Sequence, residues 1–190
     1  MDILDADLDD PVLLRFLQEH LDDLAPTAPT ESRHALDAEA LRRSGVRMWV
    51  AAEEGAVLGT VALAEVGDAH EELKSMRTSP DHRGRGIAAR MLSHAVEDAR
   101  RRGVERISLE TGSADFFAAA RSLYRRAGFL ECEPFGAYVH DPHSVFMTTT
   151  LQLPNGGGVP VDGERVEPPR SLPESAVPTV RLTGGLGDAH

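Results

Sequence analysis

From Glu72 to Leu92 the chain runs Glu72-Leu-Lys-Ser-Met-Arg-Thr-Ser-Pro-Asp-His-Arg-Gly-Arg-Gly-Ile-Ala-Ala-Arg-Met-Leu92. This is a strand, a short arginine- and glycine-rich loop and the opening of a long helix, in that order. The order commits the chain to a β-loop-α unit, and the loop's chemistry commits the unit to an anion. The first N–H groups of a helix have no intrahelical acceptor. The helix dipole adds partial positive charge at the same end. Glycines let the backbone approach a phosphate closely. A plain surface turn needs none of these together, so a phosphate-bearing ligand is expected at residues 83–88.

Two phosphate motifs overlap there. Gly84-x-Gly86-x-x-Ala89 matches a dinucleotide fingerprint. That reading wants the glycines directly after the first strand of a βαβ unit and an acid about 20 residues on. Here Pro80-Asp81-His82-Arg83 intervenes, several strands precede, and Glu110, at the end of the next strand, lies too far along. A dinucleotide-binding oxidoreductase is the weaker reading. The second motif is Arg83-x-x-Gly86-x-Ala88.

The elements around the loop can be read from periodicity. Val12, Leu13, Phe16, Leu17, Leu21 and Leu24 recur at helical spacing, with Asp10 as N-cap and Pro11 first in the helix, so residues 11–24 form an amphipathic helix. A loop over 25–32 leads to a second helix expected at 32–44, closed by Gly45. Strands are expected at 3–4, 48–52, 57–66 and 72–78. A helix over 86–102 turns Ile87, Met91, Leu92, Ala95 and Val96 inward, and a strand over 104–109 follows. A helix at 115–127 and strands at 129–135 and 144–153 complete the set. Strands first, then a βαβ crossover, then a helix and paired strands make a mixed α/β (α+β) sheet.

Residues 154–190 hold six of the twelve prolines and seven of the seventeen glycines, without apolar periodicity. Such a segment has too little apolar surface to offset its ordering entropy. The expected organisation is one folded domain over 1–153 and a solvated Pro/Gly-rich tail over 154–190.

The formal charge of −11 argues against nucleic acid as a partner. Its distribution is uneven: residues 1–40 carry eleven acids and two arginines, whereas residues 41–110 carry twelve bases and eleven acids. The phosphate loop is locally basic, and the acidic N-terminal part is suited either to drawing in a cationic amine or to solubility alone. No apolar run reaches membrane-spanning length and no secretory leader is legible, so a membrane partner is not expected. Cys132 is the only cysteine, which excludes an internal disulfide and favours the cytoplasm. It is read as a small buried hydrophobe.

Arg83-x-x-Gly86-x-Ala88 resembles the R/Q-x-x-G-x-G/A signature of the GNAT superfamily of N-acetyltransferases, with Pro80 three residues before the arginine. Leu123-Tyr124-Arg125-Arg126-Ala127-Gly128-Phe129 resembles the superfamily's later L-Y-x-x-x-G-F motif. The similarity spans about residues 3–153. Residues 72–78, 109–117 and 144–147 are more narrowly similar to small bacterial YsnE-like acetyltransferases.

The resemblance implies the GNAT fold, a mixed, mostly antiparallel sheet whose central parallel strands splay apart, flanked by helices. It implies acetyl-CoA as cosubstrate, no metal, and direct attack by a primary amine in a ternary complex, with a small-molecule acceptor. A homodimer is compatible with it. Backbone N–H groups of Arg83, Gly84, Arg85, Gly86, Ile87 and Ala88 would hold the pyrophosphate. The backbone of Met76 and Thr78 would pair with the pantetheine arm, and Arg126 would face the nucleotide. Tyr124 matches the tyrosine that protonates the departing thiolate. A phenol of ordinary pKa, about 10, is protonated at neutral pH and able to donate. The asparagine often found seven residues earlier is Phe117 here, in a segment, 112–117, expected to reshape the rim.

Two carboxylates compete as base. Glu72 precedes Met76 by four residues on one strand, and a period of two puts both side chains on one face. Glu110 ends the neighbouring strand. Either one is equally open to a structural role, paired with Lys74 or Arg77. His20, His34, His70, His140 and His143 lack metal-ligand spacing and read as surface residues, with an acceptor-binding role open for His34. A non-catalytic acyl-CoA-binding module and a protein or peptide acceptor remain the alternatives.

Overall fold

A computed structural model of the chain describes residues 1–24, 26 and 38–151. The tail at 154–190, His34, the loop over 25–32 apart from residue 26, and the start of the expected second helix lie outside the described residues. Among these residues seven strands form one sheet: β1 (Asp2–Asp5), β2 (Val46–Glu53), β3 (Ala56–Gly67), β4 (His70–Thr78), β5 (Arg106–Gly112), β6 (Leu130–Glu131) and β7 (Ser144–Thr150). Their order is β1-β2-β3-β4-β5-β7-β6, and every neighbouring pair is antiparallel except β4–β5. Among the described residues four helices flank it: α1 (Pro11–Leu24), α2 (Ala38–Leu41), α3 (Ile87–Arg101) and α4 (Ala118–Arg126). Among the described residues no helix is long and apolar enough to cross a membrane.

Each face of the sheet buries its own apolar cluster. On one face α3 sets Ile87, Met91, Leu92, Ala95 and Ala99 against Trp49, Val61, Leu63, Leu73, Ile107, Leu109 and Met147. On the other, Leu13 and Leu17 of α1 and Leu41 of α2 pack on Met48, Val50 and Ala62. Alternation along β2 and β3 supplies both sets, Met48 and Val50 to one face, Trp49 and Ala51 to the other. The start of α1 follows the expected chemistry: Asp10 Oδ1 accepts a hydrogen bond from the Val12 N–H at 2.8 Å, with Pro11 at the first position.

The α3–sheet contact depends on Gly59. A Cβ there would stand 2.8 Å from the Arg77 carbonyl oxygen and 3.2 Å from Ile87 Cγ2. The bare backbone of β3 thus lets the first residue of α3 sit against the end of β4. A network of two exposed arginines on two buried acids anchors the other end of the helix. Arg102 donates to both carboxylate oxygens of Glu71, at 2.5 and 2.7 Å, and through Nε to Asp98 at 2.7 Å. Arg47 Nε also lies 3.1 Å from Asp98.

Several expected boundaries shift by a few residues, and three elements change for a visible reason. The second helix ends at Leu41, because Arg42 N–H and Arg43 N–H bond three residues back, to Glu39 and Ala40, and the chain unwinds through a left-handed Gly45. The strand expected over 129–135 is only Leu130–Glu131. Cys132 N–H still donates to the Phe146 carbonyl, then Pro134, which has no N–H, ends the ladder and the chain leaves as a loop. The helix expected at 115–127 opens with a 3-10 turn, Asp115–Phe117, before α4.

Candidate active site

The parallel pairing of β4 and β5 consists of three rungs, His70↔Arg106, Glu71↔Ile107 and Glu72↔Ser108. Beyond Glu72 the strands part. β5 continues in register with β7 as far as Gly112↔Ser144, while β4 continues with β3 as far as Thr78↔Gly59. The two facing edges, residues 73–78 and 109–112, are not paired with each other. This is the splayed central pair the sequence resemblance implies.

A bulge sets which way β4 faces. Lys74 pairs with Ala62 and Arg77 with Thr60, so Ser75 and Met76 together oppose Val61. Ser75 adopts φ of +51°, a left-handed conformation rare for a residue with a Cβ. The extra residue reverses alternation. Glu72 and Lys74 share the α1 face with Ala62, whereas Met76 packs into the opposite cluster with Val61 and Leu73. The expectation that Glu72 and Met76 share a face is therefore corrected: a period of two holds only while each residue has its own partner. Arg77 returns to the α1 face, where its guanidinium bonds the Phe16 carbonyl, pairs with Asp23 at 2.9 Å and lies 4.6 Å from the centre of the Phe16 ring.

The loop leading to α3 has the geometry of an anion cradle. A 3-10 turn, Pro80–His82, leads into it. Gly84 and Gly86 both take φ of +76°, which L side chains resist. Gly86 is the N-cap of α3, and no side chain caps the helix. A Cβ at Gly84 or Gly86 would meet nothing within 4 Å, so the loop is open on that side. Residues 83–86 are exposed. Arg85 is held by Glu53 at 2.9 Å. Thr78 Oγ1 is buried without a hydrogen-bond partner among the described residues, at the end of β4 beside Gly59. Uncapped helix amides, an open glycine loop, an orphaned hydroxyl and an unpaired β4 edge together fit an extended ligand with a pyrophosphate and amide groups, as in coenzyme A.

Three polar side chains converge at the point of the splay. Tyr138 OH donates to Glu72 Oε1 at 2.5 Å, and Lys74 Nζ donates to the same oxygen at 2.8 Å. Lys74 Nζ also donates to Tyr138 OH at 2.8 Å and lies 5.5 Å from the centre of its ring. Glu72 and Lys74 side chains are each 10% exposed. Burial, then the Glu72 carboxylate, pushes the Tyr138 phenol well above its ordinary value, so it is the donor. Phe135, Tyr138 and Phe146 pack as a trio, with ring centres 5.2 to 6.1 Å apart. Glu110 lies within β5, not at its end, and its Oε1 accepts from Ser144 Oγ at 2.7 Å.

Tyr124, on α4, is 5% exposed, with its ring 5.9 Å from that of Phe129. Burial, then the charge of Glu110, raises its phenol above the usual range. Phe117, which stands where the superfamily often has asparagine, covers the end of β5: a Cβ on Gly112 would fall 2.2 Å from its ring. Arg126 is exposed and donates to Ser122 Oγ at 2.6 Å. Cys132 is half-buried just past β6, and burial raises its thiol pKa.

His70 is buried, contrary to the expected surface position. Arg106 Nη2 faces its Nδ1 at 3.2 Å, and its Nε2 meets Ser108 Oγ at 2.9 Å. An arginine only donates, so Nε2 carries the proton, and the chain runs on from Ser108 to Thr148 at 2.8 Å. Burial, then Arg106, lowers the pKa of His70 and keeps it neutral. Among the described residues no group of three or more His, Cys, Asp or Glu is placed to hold a metal ion.

The sequence reading missed Tyr138, which it left in a connecting segment. Composition held a signal for its neighbour: Lys74 is the chain's single lysine, among twenty basic residues.

A splayed parallel pair beside a glycine loop that opens a helix defines an acyltransferase supplied by an acyl-CoA. The chain belongs to the Acetyltransferase (GNAT) family, whose sequence model matches residues 13–129. The N-acetyltransferase YsnE of Bacillus subtilis (strain 168) is 46% identical over 145 residues, covering 76% of this chain and 96% of that protein. The N-acetyltransferase YedL of Escherichia coli (strain K12) is 41% identical over 145 residues, 76% of this chain and 91% of that one. Among solved structures, an aminoglycoside 6'-N-acetyltransferase complexed with coenzyme A shares the fold at a TM-score of 0.61 and 17% identity, over 82% of this chain and 100% of the other.

Proposed function

We propose that residues 1–153 form an N-acetyltransferase that moves an acetyl group from acetyl-CoA to a primary amine of a small molecule by direct attack in a ternary complex. The observation that carries this reading is the parting of β4 and β5 immediately beyond Glu72. It leaves a slot between the cradle on one side of the sheet and two carboxylates on the other.

Bound acetyl-CoA supplies the activated acyl group as a thioester. The amides of Arg83, Gly84, Arg85, Gly86, Ile87 and Ala88 hold the pyrophosphate, aided by the α3 dipole. The β4 backbone at Met76 and Thr78 pairs with the pantetheine arm as an added strand would. The Met76 amide, next to the bulge at Ser75, serves the thioester carbonyl, where a donor stabilises developing negative charge. Glu72 takes the proton of the attacking amine, with Glu110 the competing base. Tyr124, whose phenol is protonated at neutral pH, gives its proton to the leaving thiolate. Arg126 faces the nucleotide end.

A cationic amine suits the acceptor side. On α1, Glu19, Asp22 and Asp23 outnumber Arg15, and residues 1–40 carry a net charge of −9. The lone free thiol of Cys132 suits the cytoplasm.

The test is thiol release from acetyl-CoA across a panel of small amines, with Glu72→Gln and Glu110→Gln alongside. The expected result is turnover with at least one amine and a fall of about 10²–10³-fold in kcat/KM for Glu72→Gln. If Glu110→Gln is crippled and Glu72→Gln is not, the base lies on β5. Turnover only with peptide amines overturns the small-molecule assignment, and acetyl-CoA binding without turnover of any amine overturns the enzyme.

A further inference from the structure

Both hydrogen-bond donors at Glu72 converge on one oxygen. Tyr138 OH and Lys74 Nζ reach Oε1 at 2.5 and 2.8 Å and bond each other at 2.8 Å, closing a three-membered ring of donors and acceptors. Oε2 receives no hydrogen bond among the described residues. A carboxylate on a strand rotates about its own side-chain torsions, and this ring fixes it.

We infer that Tyr138 is a positioning residue for the reaction: with Lys74 it saturates Oε1 of Glu72 and so presents Oε2 as the oxygen that accepts the amine proton. The inference rests on Glu72 being the base. Three features support it. First, Tyr138 reaches Glu72 across 66 residues of sequence, on a loop that leaves the sheet after Cys132 and is seated by ring contacts with Phe135 and Phe146. The loop therefore delivers the hydroxyl with little rotational freedom. Second, the raised pKa of Tyr138 makes its phenol a permanent donor, never a rival base. Third, the basic partner is lysine in a chain that otherwise uses arginine throughout. A compact ammonium can bond one carboxylate oxygen and one phenol oxygen together, whereas a guanidinium fork favours both oxygens of a carboxylate and would occupy Oε2 as well.

The proton balance is simple. The amine gives its proton to Oε2 as its nitrogen bonds to the acetyl carbon, and the C–S bond breaks as the thiolate leaves with a proton from Tyr124. Lys74 and Tyr138 keep their own protons throughout.

Tyr138→Phe removes one hydroxyl and keeps the ring within the aromatic trio, so the fold is retained. Its kcat should fall about tenfold or more while KM for acetyl-CoA and for the amine stays within about twofold. In a Glu72→Gln background the same change should cost nothing further, since the two act as a unit. Lys74→Arg should also lower kcat, because the fork engages Oε2. The inference is overturned if Tyr138→Phe leaves kcat intact while Glu72→Gln is crippled. It is also overturned if the two losses simply multiply. A Glu72→Gln enzyme with normal turnover instead overturns the base assignment, and the inference with it.

Discussion

Glu72 and Ser108 form the last rung between the parallel strands β4 and β5. Ser108 Oγ is engaged by His70 and Thr148, so the β5 side of that rung is tied into a buried hydrogen-bond chain. Glu72 is tied to Lys74 and Tyr138. The strands are thus fixed from both sides at the point where they part, and the slot beyond has a defined origin.

The cofactor cradle predicts a binding phenotype separable from folding. Saturating acetyl-CoA should raise the melting temperature of the wild type, because a ligand at about a hundred times its Kd adds about 2.7 kcal/mol. Gly86→Ala and Gly86→Glu both force a side chain onto φ of +76° and should each lose roughly 1–2 kcal/mol of intrinsic stability. Gly86→Ala adds only a methyl where nothing lies within 4 Å and should keep much of the ligand-induced shift. Gly86→Glu adds a negative charge beside the pyrophosphate and should lose it. Thermal scans with and without acetyl-CoA decide this, and an unchanged shift in a folded Gly86→Glu protein rules out the loop.

Tyr124→Phe should separate chemistry from packing. The ring stays in the core beside Phe129, and only the hydroxyl goes. Turnover is expected to drop by about 10²–10⁴-fold with acetyl-CoA affinity unchanged. Rapid-mix assays of thiol release, paired with equilibrium binding, measure the two quantities. A near-normal kcat would assign Tyr124 to the core alone.

His20 makes stability depend on pH. Burial, and secondarily Arg77, holds its pKa at about 4 against an ordinary 6.5, with Asp23 opposing. Between those values the unfolded chain binds more protons than the folded one, so stability rises with pH across that window. The full contribution is present above pH 6.5 and is lost as pH falls toward 4, amounting to at most about 3 kcal/mol. His70, also held neutral by burial, acts in the same direction. His20→Gln should flatten the slope of urea midpoints between pH 4.5 and 7, and a slope identical to wild type would show that His20 is not the group.

The local sequence determined what depends on neighbours along the chain. The Asp10-Pro11 start and the full extent of α1, the hairpin of β2 and β3, the glycine loop opening α3, and the two motifs that mark the family were all legible from spacing and residue type. These features are governed by caps, turns and periodicity within a few residues, and they carry over into the fold because the tertiary contacts agree with them.

Tertiary structure alone decided the rest. The bulge at Ser75 and Met76 exists because β4 must keep register with β3 on both sides of Val61, and register is a property of two strands. It moved Met76 away from the face of Glu72. The end of β6 and the path of the loop after Cys132 follow from partners that only the folded sheet supplies. That loop carries Tyr138 to Lys74 and Glu72 across 64 and 66 residues, a closure no local pattern records. His70 is buried for the same reason: Arg106, Ser108 and Phe135 surround it only after β4 and β5 pair and the loop folds back. Helix caps and turns are short-range energies written in adjacent residues, whereas the alignment of a carboxylate depends on groups brought together by the whole sheet.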